Sequence, residues 1–92
     1  MFNSPPPDPV LLNKALSTAL RHLRLNHSNL NTREFAKKVK LPKSVIISSE
    51  LNTVNPTMRT LVAYAKYFKI SVSGIVLLAE RILQQQTGEP ND

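Results

Sequence analysis

From residue 9 onward, apolar positions recur at three- and four-residue intervals, the period of a helix with one covered face. Leu12, Leu16, Ala19, Leu20 and Leu23 form such a stripe, with Lys14, Ser17, Thr18, Arg21 and Arg24 on the other side. Asp8 ahead of Pro9 supplies a capping carboxylate and a first-turn proline. The spacing therefore predicts a first helix over about 9–25, followed by a polar break at 26–29. Asn31 with Glu34 three residues on has the form of a capping box, which starts a second helix over 32–39 with Leu30, Phe35, Ala36 and Val39 turned inward. Pro42 suits a helix entrance better than an interior, so a third helix covers about 43–51. Thr57 can cap a fourth, in which Leu61, Ala65 and Phe68 line one side with Met58 and Val62. A fifth runs over about 72–86, with a stripe of Val72, Ile75, Val76, Ala79, Ile82 and Leu83. No stretch alternates in the manner of a strand, and no segment repeats. The pattern is an all-α fold of five short helices.

Outside these helices the chain has a different character. Residues 1–8 are Pro-rich and are expected to form a flexible arm, and residues 87–92 are expected to be a disordered tail. The 92 residues suffice for one core and no more, and an apolar fraction of 41% excludes wholesale disorder. The absence of cysteine excludes a disulfide framework, a thiolate zinc site and a cysteine nucleophile. With only His22, His27 and six scattered carboxylates, no metal site is expected. Gly74 and Gly88 are too few for a phosphate-binding loop, and no Ser–His–carboxylate set falls at a useful spacing. The expectation is a protein without cofactor that is not an enzyme. The longest apolar run, Ile75 to Ala79, is far short of the roughly 20 residues that span a bilayer. No secretory signal is visible, and the expected location is a reducing cytoplasm.

Charge sharpens the picture once it is divided along the chain. Residues 14–69 hold eleven of the twelve basic residues but only Glu34 and Glu50 as acids, so the middle carries +9 of a chain whose net charge is +6. The first 13 residues carry −1, and residues 70–92 carry −2. A basic centre between mildly acidic ends suits a polyanion-facing surface, although a solvated basic surface accounts for the same numbers.

The segment LNTREFAKKVKLPKSVIISSELNTVNPTMRTLVAYAKYFKIS resembles the helix-turn-helix domain of the Cro/C1-type (XRE-family) bacterial and phage transcriptional regulators. The likeness covers roughly residues 16–79. It is strongest at Leu30 to Val39, Ile46, Glu50, Asn55-Pro56 and Leu61 through Ser71. It implies a compact five-helix, lambda-repressor-like domain that binds a palindromic operator with its third helix in the major groove. By position, Lys43, Ser44, Ile47 and Ser48 are then the base readers, while Thr32, Arg33, Lys40 and Arg59 contact phosphates. The family often buries an Arg–Glu pair, for which Arg24 and Glu50 are the matching residues; a solvated helix end is the other reading of Glu50. Ala36 falls where the second helix crosses the third, and Val39, Leu41 and Ile46 would fill the wedge between them.

The chain departs from this pattern at three places. Lys40 stands where the family has glycine and must accept a left-handed backbone. Pro42 replaces the side-chain cap of the third helix, and Ser49 occupies a slot that is usually apolar. Ile47 either meets a thymine methyl or packs against Val45 or a neighbouring subunit. Tyr64 and Tyr67 are expected to pack rather than stack on bases, and His22 and His27 to be surface polar residues. The fifth helix is apolar around most of its girth at 75–78, which predicts a homodimer interface on Ile75, Leu77, Leu78 and Ile82. The partners implied are double-stranded DNA and a second copy, with no membrane. A regulator that represses is the leading expectation. The alternative is an antitoxin-like module that sequesters a protein partner and controls its own promoter.

Overall fold

A computed structural model describes residues 7–87. Five helices follow one another: α1 (Pro9–His27), α2 (Thr32–Val39), α3 (Lys43–Leu51), α4 (Met58–Phe68) and α5 (Val72–Thr87). There is no strand among the described residues. The arm expected over 1–8 and the tail expected over 87–92 lie outside the described residues, except at three positions. Pro7 and Asp8 lead into α1, and Thr87 is the last residue of α5 rather than the first of a tail.

The local signals that start the helices act through specific bonds. Asp8 Oδ1 accepts from the amides of Val10 (2.8 Å) and Leu11 (3.3 Å). At α2, Asn31 Oδ1 accepts from the Glu34 amide at 2.8 Å, and Glu34 Oε1 accepts from the Asn31 amide at 3.2 Å, a closed capping box. Thr57 Oγ1 takes the Thr60 amide, and Ser71 Oγ takes the Gly74 amide at the start of α5. α3 begins at Pro42 with no side-chain cap. α1 runs two residues beyond the expected end. The Asn26 amide donates back to the His22 carbonyl, and the Ser28 hydroxyl and amide take the Arg24 carbonyl, so the polar break satisfies the last turn instead of interrupting it.

The core draws on every helix. α1 supplies Ala15, Leu16, Ala19, Leu20 and Leu23, α2 Phe35 and Ala36, α3 Ile46, α4 Leu61, Tyr64 and Ala65, and α5 Ile75 and Ala79. α1 and α5 form the most extensive helix pair, and both bury small residues, Ala15, Ala19 and Ala79. Phe35 sits at the centre of an aromatic cluster, its ring 4.8 Å from Tyr64, 5.1 Å from Tyr67 and 5.8 Å from Phe68. That cluster locks α2 to the last turns of α4.

Three sequence expectations are corrected by this packing. Ser17, expected on the polar side of α1, is buried, because α1 is covered by α3 as well as by α5; Arg24, on the same stripe, is buried in the pairing with Glu50 that the resemblance implied. Met58, expected beside Leu61, is 64% exposed at the first residue of α4. Ile75, expected at a dimer interface, is fully buried in its own protomer against the other core residues. It has no surface to offer a second copy.

Candidate nucleic-acid interface

α2 and α3 are joined by the turn 40–42, and that turn is built by Lys40. Its backbone is left-handed (φ 60°, ψ 43°), and the amides of Lys40 and Leu41 both donate to the Ala36 carbonyl, closing α2. Leu41 and Val39 are half-buried around this corner, and the fully buried Ile46 fills the wedge between the helices.

The outward side of α3 carries Lys43, Ser44 and Ile47, all exposed. Ser48 is half-buried, and its hydroxyl donates to the Val45 carbonyl at 3.3 Å. It would have to rotate away to donate to any ligand. Leu51, 62% exposed, continues the same side one turn further on; helical spacing from Ile47 marks it, although the sequence reading passed over it. Thr32 is half-buried at the first position of α2, and Arg33 beside it is exposed. The capping box takes the Glu34 amide, so the amides of Thr32 and Arg33 have no partner within the helix. Lys40 and Arg59 are both exposed.

Behind α3 lies a buried polar cluster. Arg24 Nε donates to both Glu50 oxygens (3.0 and 2.9 Å), and Nη2 donates to Oε1 at 2.8 Å. Arg24 Nη1 donates to the Leu30 carbonyl at 3.0 Å. The Tyr64 hydroxyl donates to Glu50 Oε2 at 2.7 Å. The hydrogen bond that Arg24 donates to Glu50 raises the Arg24 pKa despite burial, and burial followed by the bond to Glu50 raises that of Tyr64. The helix period marks Tyr64 only as a packing residue; nothing in it tells that the hydroxyl meets Glu50. No buried side-chain polar atom among the described residues lacks a partner. Leaving Arg24 buried without its carboxylate would cost about 3–5 kcal/mol.

The cluster also decides where the charge goes. Arg24 and Glu50 neutralise one another inside, whereas the other ten basic residues of 14–69 are all exposed. Against them stands one exposed carboxylate, Glu34, already engaged in its capping box. The whole +9 of the middle segment therefore lies at the surface of α1 to α4 and their loops. α5 adds only Glu80 and Arg81 among its described side chains.

Elsewhere, exposed apolar side chains stand at several places, among them Val10 and Leu11 at the start of α1, Leu25 near its end and Ile70 ahead of α5. Leu51, Val54 and Met58 are exposed around the α3–α4 corner, and Leu77 is 49% exposed on α5. Leu77 borders an open groove with Ser71, Ser73, Gly74, Val76 and Glu80. Leu78 and Ile82, the other expected interface residues, are half-buried and pack on the core. His22 and His27 are exposed near the end of α1, their rings 6.2 Å apart. Among the described residues no group of three or more His, Cys, Asp or Glu could hold a metal ion, and no single helix is long and apolar enough to cross a membrane. No protein-family model, curated protein or solved structure matches the chain.

Proposed function

We propose that the protein is a sequence-specific DNA-binding transcriptional regulator of the Cro/C1 type, and that it represses from a palindromic operator as a homodimer. One observation carries this reading: ten surface cations face a single surface carboxylate over 14–69, while the α2–α3 corner presents Lys43, Ser44 and Ile47 together. A polyanion is the partner such a surface attracts. A short helix projecting one long donor, one hydroxyl and one apolar side chain has the means to read base edges in the major groove. Lys43 suits guanine acceptors and Ile47 a thymine methyl. Thr32 and Arg33, with amides at the start of α2, suit a phosphate, as do Lys40 and Arg59.

A single half-site read by so few side chains cannot select an operator from a genome, which is the reason for a second copy. α5 is the helix suited to receive it. It bears no surplus of cations among its described side chains, so two copies meet there with the least repulsion. Leu77 and the groove beside Gly74 offer apolar surface.

Selection of bound sequences from random DNA tests the proposal. The expected result is a two-fold consensus with half-sites about one helical turn apart. Lys43→Ala should then relax the preference at one position, at about 1–3 kcal/mol on the best site, and Thr32→Ala should weaken all sequences alike. Recovery of no consensus would overturn the reading. The exposed corner of Leu51, Val54 and Met58 favours a second one, a module that sequesters a protein partner. Under that reading a stoichiometric partner co-purifies and is released by Met58→Glu.

A further inference from the structure

The helix that would read the bases has the poorest apolar seat of the four whose packing is fully described. Of its nine residues only Ile46, Ser49 and Glu50 are buried, so one aliphatic side chain supplies its apolar anchor, whereas α1 buries five. Hydrophobic attraction is non-directional. A single branched side chain can hold a helix against a core without setting how the helix is tilted or rolled.

Directional bonds do that here, and they gather at one end of α3. The Ser17 hydroxyl donates to Asn52 Oδ1 at 3.1 Å, at the residue that ends the helix. Arg24 and Tyr64 converge on Glu50, two residues earlier. Ser17 and Arg24 are seven residues apart, two turns of α1, and so lie on one stripe about 10 Å long. α3 is thus held at two points by α1 and at one by α4. The same Arg24 guanidinium bonds the Leu30 carbonyl just ahead of α2, which ties the two helices of the corner to one side chain.

The opposite end of α3 carries Lys43 and has no side-chain cap. Lys43 and Leu51 are eight positions apart, a lever about 12 Å long. A tilt of roughly 10° about the tethered end moves Lys43 by about 2 Å, enough to lose a hydrogen bond to a base edge. Phosphate contacts made by long flexible cations tolerate such a shift.

We infer that Ser17 and Tyr64 are positioning residues that aim α3, and that they set the sequence discrimination of the protein without touching DNA. The inference rests on the DNA-binding reading above. Tyr64→Phe and Ser17→Ala in the full chain remove one hydroxyl each and little volume. Tyr64→Phe is expected to lower the ratio of affinity for the selected site over random DNA about tenfold, and Ser17→Ala to act in the same direction. Affinity for random DNA and its salt dependence stay at the wild-type level. Amide exchange over 43–51 is expected to quicken in both variants while that of α1 and α4 holds. Equal losses on selected and random DNA, or an unchanged ratio in both variants, would overturn the inference. If Tyr64→Phe does not fold, Ser17→Ala decides on the same readouts. If the wild-type protein selects no site, the DNA reading fails by itself; unchanged α3 exchange in both variants would then overturn the positioning role separately.

Discussion

Among the described residues, four other than glycine have a left-handed backbone: Asn29, Lys40, Asn52 and Lys69. Asparagine accepts this region with little penalty, but a lysine there costs about 1 kcal/mol relative to glycine. Lys40 closes α2 and Lys69 closes α4, with nearly the same dihedral angles. The two lysines are therefore matched in strain and differ in place. Lys40→Gly and Lys69→Gly should each raise stability by about 1 kcal/mol, or roughly 4–8 °C in Tm for a domain of this size, as read by denaturant and thermal unfolding. DNA binding should separate them. Lys40→Gly is expected to weaken binding and lower the salt slope by about one counterion, and Lys69→Gly to leave both unchanged. Equal binding by both variants would remove Lys40 from the phosphate contacts.

At the scale of elements, α1, α3 and α4 meet through one carboxylate, and the titration of the tyrosine that joins them is measurable. The Tyr64 pKa is raised by burial and then by its bond to Glu50. A folded-state pKa above the unfolded value of about 10 means that the native state holds the phenolic proton more tightly. The contribution of the neutral phenol is complete below about pH 10 and is lost as pH rises above it. The slope is about 1.4 kcal/mol per pH unit for one proton. The comparison is with Tyr64→Phe, which differs only in lacking the phenolic proton. Between pH 10 and about 11.5 the wild-type protein should lose stability more steeply than the variant by about that slope, measured by urea unfolding. Parallel curves would mean that Tyr64 does not keep its proton in the folded state.

For the whole molecule, the proposed homodimer raises the question of which surface would meet a second copy. Leu77 is the exposed member of the expected interface set; Ile75 is core, and Leu78 and Ile82 lean on it. Leu77→Glu should leave a folded protein that sediments as a monomer, with operator affinity down roughly 100-fold or more once the two half-sites are no longer linked. Leu78→Glu is not an equivalent test, because a half-buried core contact is lost with it. Met58→Glu serves as the control, since it places the same charge on another exposed apolar side chain. A monomer from Met58→Glu and a dimer from Leu77→Glu would move the interface to the α3–α4 corner.

What the amino-acid sequence determined by itself was local. Asp8, the Asn31–Glu34 box and Thr57 act within three residues of chain, so their bonds follow from spacing, and α1, α2 and α4 start where those residues stand. The left-handed backbone at Lys40 was legible through the resemblance, which places a glycine there. The pairing of Arg24 with Glu50 was legible through the resemblance and not through any period. Only the tertiary structure decided which faces are covered. A helical repeat tells which residues share a side, but not how many neighbours that helix has. α1 has neighbours on two sides, so Ser17 and Arg24 turn inward although their stripe is polar. Met58 turns outward because α4 begins beyond the edge of the core, and Ile75 turns inward because α1 lies along α5. The Tyr64 hydroxyl meets a carboxylate 14 residues away, and Ser17 an amide oxygen 35 residues away. Bonds over such separations arise when whole helices pack, and no window of sequence contains them.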